Sequence, residues 1–303
     1  MKKLLLIINP NAGTRQKRRF LPDMLTIFNE ADYLPTVFMT RGRGDASSFA
    51  AEYAGKTDVV VACGGDGTLN EVISGMLTAG HTTPIGYIPC GSTNDFATSL
   101  GISVNVLQAC RDIVNGEPRE LDIGLFGPDR YFSYTASFGL FASVSYSTPQ
   151  NVKNILGHAA YILEGIRSLA DVRPVHLAIS ADGKTYEDDY LFGTVCNSVI
   201  MGGGVLRLDE RKVHLNDGLF ESLLIPFPKD LGTVKRILDD IGAKQYEESP
   251  LMSFIRASDF TVKSDPPTHW TLDGEEAVAA PVQEIRNLKS AIQIVCKKLP
   301  ASR

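Results

Sequence analysis

The chain is poor in features that mark several large protein classes. Its five cysteines, Cys63, Cys90, Cys110, Cys196 and Cys296, are scattered and odd in number. None shows Cys-x-x-Cys spacing, so they read as buried, reduced thiols of a cytosolic protein, without a disulfide frame or zinc site. There is no basic excess: the net charge is -5, which argues against a nucleic-acid partner. No apolar run approaches the ~20 residues of a membrane span. The longest, Phe132 to Tyr146, is diluted by Ser133, Thr135, Ser137, Ser143 and Ser145 and reads as strand material. Lys2-Lys3 followed by Leu4–Ile8 resembles a signal peptide only superficially, because the run stops at Asn9-Pro10. The histidines at 81, 158, 176, 214 and 269 show no metal spacing. Internal repeats and low-complexity stretches are missing as well.

What remains is an ordinary globular composition over 303 residues, 44% hydrophobic and 21% charged, enough for one large or two ordinary domains. The first part alternates strand and helix patterns. Strands are expected at Leu4–Ile8, Thr36–Thr40, Asp58–Cys63 and Ile85–Cys90. Helices are expected over Arg15–Glu30, from an Asp45 cap to Ala54, over Leu69–Ala79, and from Asp95 to Asn115. Repeated βα units imply a parallel sheet covered on both faces, with ligands bound beyond the carboxyl ends of its strands. The rhythm changes near Leu121. Strands then dominate: Leu121–Phe126, Tyr131–Ser137, Val175–Ser180, Lys184–Val199, Leu219–Pro226, Phe260–Lys263, Trp270–Leu272, Glu284–Ile285 and Ala291–Cys296. Asp182-Gly183 marks a hairpin, and helices are expected over Val152–Leu169 and Asp230–Gly242. This predicts an α/β domain over residues 1–124, to which the strand in 290–303 returns, and a mainly antiparallel β-sandwich over 125–289.

The most informative segment is Gly64-Gly65-Asp66-Gly67-Thr68, which ends one apolar strand and opens a helix. That geometry aims backbone N–H groups and a helix dipole at an anion, and glycines allow close approach. It is neither a Walker A loop nor the dinucleotide fingerprint, for want of the following Lys and of the third glycine respectively. Asp66 puts a carboxylate where a phosphate would sit. Two unit charges about 4 Å apart interact by roughly 4 kcal/mol at an effective dielectric near 20, so a lone Asp would repel the ligand. A hard divalent cation between them reverses the sign, and the loop reads as a site for nucleotide plus Mg²⁺.

Asn9-Pro10-Asn11-Ala12-Gly13 closes the first strand as a second turn, either phosphate-facing or an ordinary β-to-α turn. Ser92, Thr93 and Asn94 can donate to phosphate, and Asp95 adds an acid; the same residues would cap a helix. Asp122 is an acid inside an apolar run, a place where charge is usually paired or functional. Leu215-Asn216-Asp217-Gly218-Leu219 is a tight turn that could hold a small metal ion if the carbonyls of His214 and Leu219 converge with Asp217. Asp273-Gly274-Glu275-Glu276 closes a strand; Glu275 could take a proton from a hydroxyl, although in isolation the stretch reads as a solvated acidic turn. Arg15, Lys17, Arg18 and Arg19 read as a solvated helix face. Gly202-Gly203-Gly204 signals irregular backbone or close approach.

With these elements in this order, the chain resembles the soluble bacterial diacylglycerol kinases and related lipid kinases over essentially its whole length. The Gly-Gly-Asp-Gly-Thr element alone is shared with NAD kinases. The resemblance implies a phosphofructokinase-like α/β domain, a β-sandwich domain, and an active site in the cleft between them. It further implies ATP contacts at Asn9, Pro10, Asn11, Ala12, Gly13, Thr40, Gly64, Gly65, Gly67, Thr68, Leu69, Asn70, Glu71, Ser92, Thr93 and Asn94. Asp66, Asp95 and Asp122 match the acids of the catalytic magnesium and water network. Glu275 matches the proton acceptor. Asp217, with the carbonyls of His214 and Leu219, matches a second, structural magnesium site. Ser92 stands where many relatives carry Thr, and Thr98 where some diacylglycerol kinases carry Arg.

The function expected is therefore an ATP- and Mg²⁺-dependent lipid kinase acting on a primary hydroxyl, with diacylglycerol as acceptor. Alternatives are another lipid such as a sphingoid base or phosphatidylglycerol, a soluble compound such as NAD, and, in a different class, a non-catalytic nucleotide-binding regulator. The enzyme is expected in the cytoplasm, in peripheral contact with a membrane. The sequence leaves the oligomeric state open and is compatible with a homodimer.

Overall fold

The computed structural model describes residues 1–13, 19–140, 173–201, 206–209 and 211–298. The expected helix over Val152–Leu169, the triple glycine at 202–204, His158, and Arg15, Lys17 and Arg18 lie outside these residues. The chain forms two compact units, Met1–Ile123 with Lys289–Arg303, and Gly124–Leu288.

In the first unit, β1 (Lys2–Ile8), β2 (Tyr33–Met39), β3 (Val59–Gly64) and β4 (Ile85–Pro89) pair in parallel in the order β2-β1-β3-β4. All of Leu4 to Ile8 is buried. A strand has a side-chain period of two, so both faces of the sheet are covered. Leu4, Leu6 and Ile8 share a core with Met24 and Phe28 of α1 (Leu21–Glu30) and with residues of α5 (Val106–Asn115). α2 (Asp45–Tyr53) and α3 (Asp66–Thr78) pack together, so closely that a Cβ on Gly75 would lie 2.1 Å from the Ser47 carbonyl oxygen. α4 (Asp95–Ser99) precedes α5.

The second unit is largely antiparallel. After β5 (Glu117–Phe126) come β6 (Arg130–Phe132), β7 (Thr135–Gly139), β8 (Val175–Ala181), β9 (Lys184–Cys196), the short pair β10 (Ile200–Met201) and β11 (Leu206–Arg207), β12 (Phe220–Pro226), α6 (Leu231–Gly242), β13 (Ser253–Ala257), β14 (Asp259–Lys263), β15 (His269–Leu272) and β16 (Glu275–Val278). Strand order runs β16-β15-β7-β9-β8-β14, with β12 and β13 continuing from β9. The core is aromatic: Trp270 lies 4.8 Å from Phe138 and 5.4 Å from Phe126, centroid to centroid. A second apolar cluster gathers under Val234 and Ile237 of α6. Strand β17 (Val282–Cys296) serves both units: its first half pairs with β14, and Ile294 pairs in parallel with Ile85 of β4.

Several boundaries differ from the sequence expectation for identifiable reasons. The periodicity places the helix after the glycine loop at Leu69, yet it starts at Asp66, because Gly65 is fully extended (φ -85°, ψ -179°) and leaves no loop to cross. Asp45 is the first helical residue rather than the cap. Its carboxylate accepts from the backbone N–H groups of Arg41 and Gly42, and Gly44 (φ +87°) holds the cap position. The expected strand Tyr131–Ser137 breaks at Ser133-Tyr134, whose N–H groups turn to the Asp273 carboxylate instead of a ladder. Glu284–Ile285 and Ala291–Cys296 belong to one strand, with Ser290 at φ +50°. β13 and β16 were not expected; both are short, with weak alternation. Asp182-Gly183 forms the two-residue β8–β9 turn, both residues at positive φ.

Candidate active site

Three loops leave the carboxyl ends of β1, β3 and β4 in the first unit, and hydrogen bonds draw them together. The Asn9 backbone N–H donates to the Cys63 carbonyl at 2.9 Å, and Cys90 N–H donates to the Gly64 carbonyl at 2.6 Å. Asn9 Nδ2 donates to Thr68 Oγ1 at 3.1 Å, tying the first loop to the start of α3, while Asn9 Oδ1 accepts from Asn11 N–H. Asn94 (φ +53°) folds back on Gly91, accepting from its N–H at 2.8 Å and donating to its carbonyl at 3.0 Å. A Cβ on Gly91 would lie 2.8 Å from Gly65 Cα. Only glycine allows these two backbones to approach so closely. Gly13 takes positive φ in the first turn, and Thr40 N–H joins the rim by donating to Ile8 O. Gly67 and Thr68 lie in the first turn of α3, where backbone N–H groups favour an anion. Ser92 and Thr93 are exposed, whereas the side chain of Leu69 is wholly buried.

The acids are placed differently from one another. Asp66 Oδ1 accepts from the hydroxyl of the fully buried Tyr87 at 3.1 Å, and Oδ2 accepts from Asp95 N–H at 3.2 Å. The structure thus fixes the Asp66 carboxylate beside these loops and brings Asp95 next to it. Asp122 is completely buried and accepts from Ser290 N–H at 2.7 Å, which anchors the bend in β17. Among the described residues no group of three or more His, Cys, Asp or Glu side chains is arranged to hold a metal ion, so the three acids do not form a ready-made cage. Mg²⁺ does not need one: it is commonly held by one or two carboxylates together with phosphate oxygens and water. Asp66 fits that requirement. Glu71 is committed elsewhere, accepting from Gly44 and Ala46 N–H and so capping α2. Asn70 Oδ1 accepts from Ser74 Oγ.

In the second unit, Glu275 is half-buried and opens β16 after the Asp273-Gly274 turn. Asp273 is buried and is not the solvated acid its sequence context suggests. At the 215–219 turn, Asp217 Oδ1 accepts from Leu219 N–H, and Oδ2 pairs with Arg256 Nη2 at 2.7 Å. A guanidinium therefore already supplies positive charge to the carboxylate expected to hold a second cation. Arg256 also pairs with Glu221 at 3.1 Å. Burial pushes the Glu221 carboxyl up to about 7, with Arg256 opposing only in part. His214 is exposed, beside Lys212, Glu247, Phe254 and Arg256 around an open depression of about 590 Å³. Sequence reading missed Tyr87, Glu221 and Arg256. The only signal for Arg256 was its strand, β13, which was itself not expected.

Comparison with known proteins agrees with this architecture. The family model for the diacylglycerol kinase catalytic domain matches residues 3–126, and that for the YegS C-terminal NAD kinase beta sandwich-like domain matches residues 135–296. The chain is 32% identical to a diacylglycerol kinase of Bacillus subtilis, covering 100% of this chain and 99% of the relative. It is 31% identical to a diacylglycerol kinase of Staphylococcus aureus, covering 97% and 92%. A solved structure of a candidate diacylglycerol kinase from Bacillus anthracis superposes with a TM-score of 0.81 at 25% identity, covering 98% of this chain and 97% of that one. The fold is thus an α/β domain with parallel strands followed by an antiparallel β-sandwich.

Proposed function

The chain belongs to the diacylglycerol kinase family of lipid kinases, and we propose that its own reaction is transfer of the γ-phosphoryl group of ATP, with Mg²⁺, to the free hydroxyl of diacylglycerol. The observation that carries this reading is the convergence of the Asn9, Gly65 and Gly91 loops around a fixed Asp66. Backbone N–H groups of the loops and the first turn of α3 receive phosphate oxygens. Ser92 and Thr93, exposed beside them, add hydroxyl donors. Asp66, held by Tyr87 and by Asp95 N–H, is the carboxylate that would hold Mg²⁺, with Asp95 adjacent. When bound, that ion neutralises charge on the phosphate oxygens.

Glu275 accepts the proton of the attacking hydroxyl. That oxygen bonds to the γ-phosphorus as the bond to the β,γ-bridging oxygen breaks, and ADP leaves. Catalysis in such transfers is mostly positioning and charge stabilisation. Diacylglycerol as acceptor is supported by the names of the relatives. Such an acceptor resides in a bilayer, so the enzyme works in peripheral contact with its surface. Among the described residues no helix is long and apolar enough to cross a membrane. Five buried free thiols favour a reducing, cytoplasmic setting.

The test is phosphoryl transfer from ATP to diacylglycerol in mixed micelles, against sphingoid base, phosphatidylglycerol and NAD, with Glu275→Gln in parallel. Diacylglycerol should be the best acceptor, and the variant should bind ATP normally while turnover falls about 10²-fold or more. A better alternative acceptor would replace diacylglycerol, and normal turnover in the variant would remove Glu275 from the mechanism.

A further inference from the structure

We propose that Asp273 is a positioning residue for this reaction: its carboxylate gathers the backbone N–H groups of Ser133, Tyr134 and Thr135 and so fixes the turn that aims Glu275. The proposal rests on the reading of Glu275 as the proton acceptor.

Strand β16 carries Glu275 and is only four residues long. It stands at the end of the strand order, and among the described residues it pairs with β15 alone. Little in the ladder itself therefore sets where Glu275 points. The two residues before it fix where its strand begins. Asp273 and Gly274 both adopt positive φ, +50° and +89°, and form a two-residue turn closed by the Leu272–Glu275 pair. The Asp273 carboxylate then reaches across to the break between β6 and β7. Oδ1 accepts from Tyr134 and Thr135 N–H, both at 3.0 Å, and Oδ2 accepts from Ser133 N–H. The Asp273 backbone N–H donates to Thr135 O at 2.9 Å. Further along, the Arg130 guanidinium donates to the Glu276 carbonyl at 3.2 Å. The edge strand is thus tied to its neighbours immediately before and after Glu275.

Turn formation does not explain the carboxylate. Asparagine before glycine makes this type of turn at least as readily as aspartate. An ionised carboxylate differs in being an acceptor only, which is what three converging N–H donors demand. An asparagine NH₂ would have to face at least one of them. Asp273→Asn is therefore expected to fold and keep the turn while loosening the clamp. Displacement of a catalytic group by about 1 Å is enough to cost ~10²-fold in rate.

The experiment is a double-mutant cycle of Asp273→Asn with Glu275→Gln, read as kcat, KM for diacylglycerol and ATP affinity. Asp273→Asn alone should lower kcat about 10- to 100-fold and leave ATP affinity and KM near those of the parent. On the Glu275→Gln background it should cost nothing further. Gly274→Ala, strained at its positive φ but in open space, should show the same cancellation and serves if Asp273→Asn folds poorly. Equal losses on both backgrounds, or an unchanged kcat, would overturn the positioning role alone. Normal turnover in Glu275→Gln would overturn the proton-acceptor reading and this proposal with it.

Discussion

Replacing Glu221 with glutamine should change how stability of the second unit depends on pH. The Glu221 side chain is 1% exposed. Oε1 accepts from Arg256 Nε at 3.1 Å, while Oε2 is buried without a hydrogen-bond partner. Burial raises the carboxyl from its ordinary 4.5 to about 7, more than Arg256 lowers it. The folded chain then holds this proton more tightly than the unfolded chain does. The group's stabilising contribution is full below about pH 4.5 and is lost as pH rises towards about 7. Each pKa unit is worth about 1.4 kcal/mol, so the whole effect is roughly 3 kcal/mol, most of it lost between pH 5 and 8. Glutamine does not titrate, and the remaining groups cancel when parent and variant are compared. The unfolding free energy of Glu221→Gln minus that of the parent should therefore rise by roughly 2 kcal/mol from pH 5 to pH 8. The assay is urea unfolding followed by tryptophan fluorescence. The single tryptophan, Trp270, is fully buried in the core of this same unit. A difference that stays flat across that range would show that Arg256 outweighs burial and that Glu221 is ionised throughout.

Two further substitutions test the scaffold. Gly91→Ala would drive a Cβ to 2.8 Å from Gly65 Cα, backbone against backbone; ATP affinity by calorimetry should fall about tenfold or more, roughly 1.4 kcal/mol, and an unchanged affinity would show that the loops have room to part. Asp230→Ala removes the N-cap of α6, where Oδ1 accepts from Thr233 N–H at 2.7 Å; the second unit should lose about 1 kcal/mol by the same fluorescence assay, and no loss would mean that water replaces the cap.

Much of the first unit is legible in the sequence because its signals are local. The apolar runs ending in Asn9, Gly64 and Cys90 announce buried strands, and their endings announce the loops. The helix start at Asp66 was misplaced by three residues because periodicity registers buried side chains, and Leu69 is the first of these after Thr68. Asp45 reads as a cap because Ser, Thr, Asp and Asn usually cap, but the N–H groups at that end of α2 are met by Glu71, 27 residues from Gly44. The second unit is less legible. β16 and β13 are too short to show alternation; β16 is placed by its hairpin with β15, and β13 by partners such as Leu223, 31 residues from Phe254.

The sequence by itself determined the fold class, the three turns at the strand ends, and the acids near them, since apolar period, glycine and carboxylate are properties of short stretches. Tertiary structure alone decided what each acid does. Asp66 is held by Tyr87, Asp122 ties down Ser290, Asp217 pairs with Arg256, and Asp273 gathers three N–H groups. A carboxylate's role depends on which donors reach it, and these donors arrive from 21 to 168 residues away.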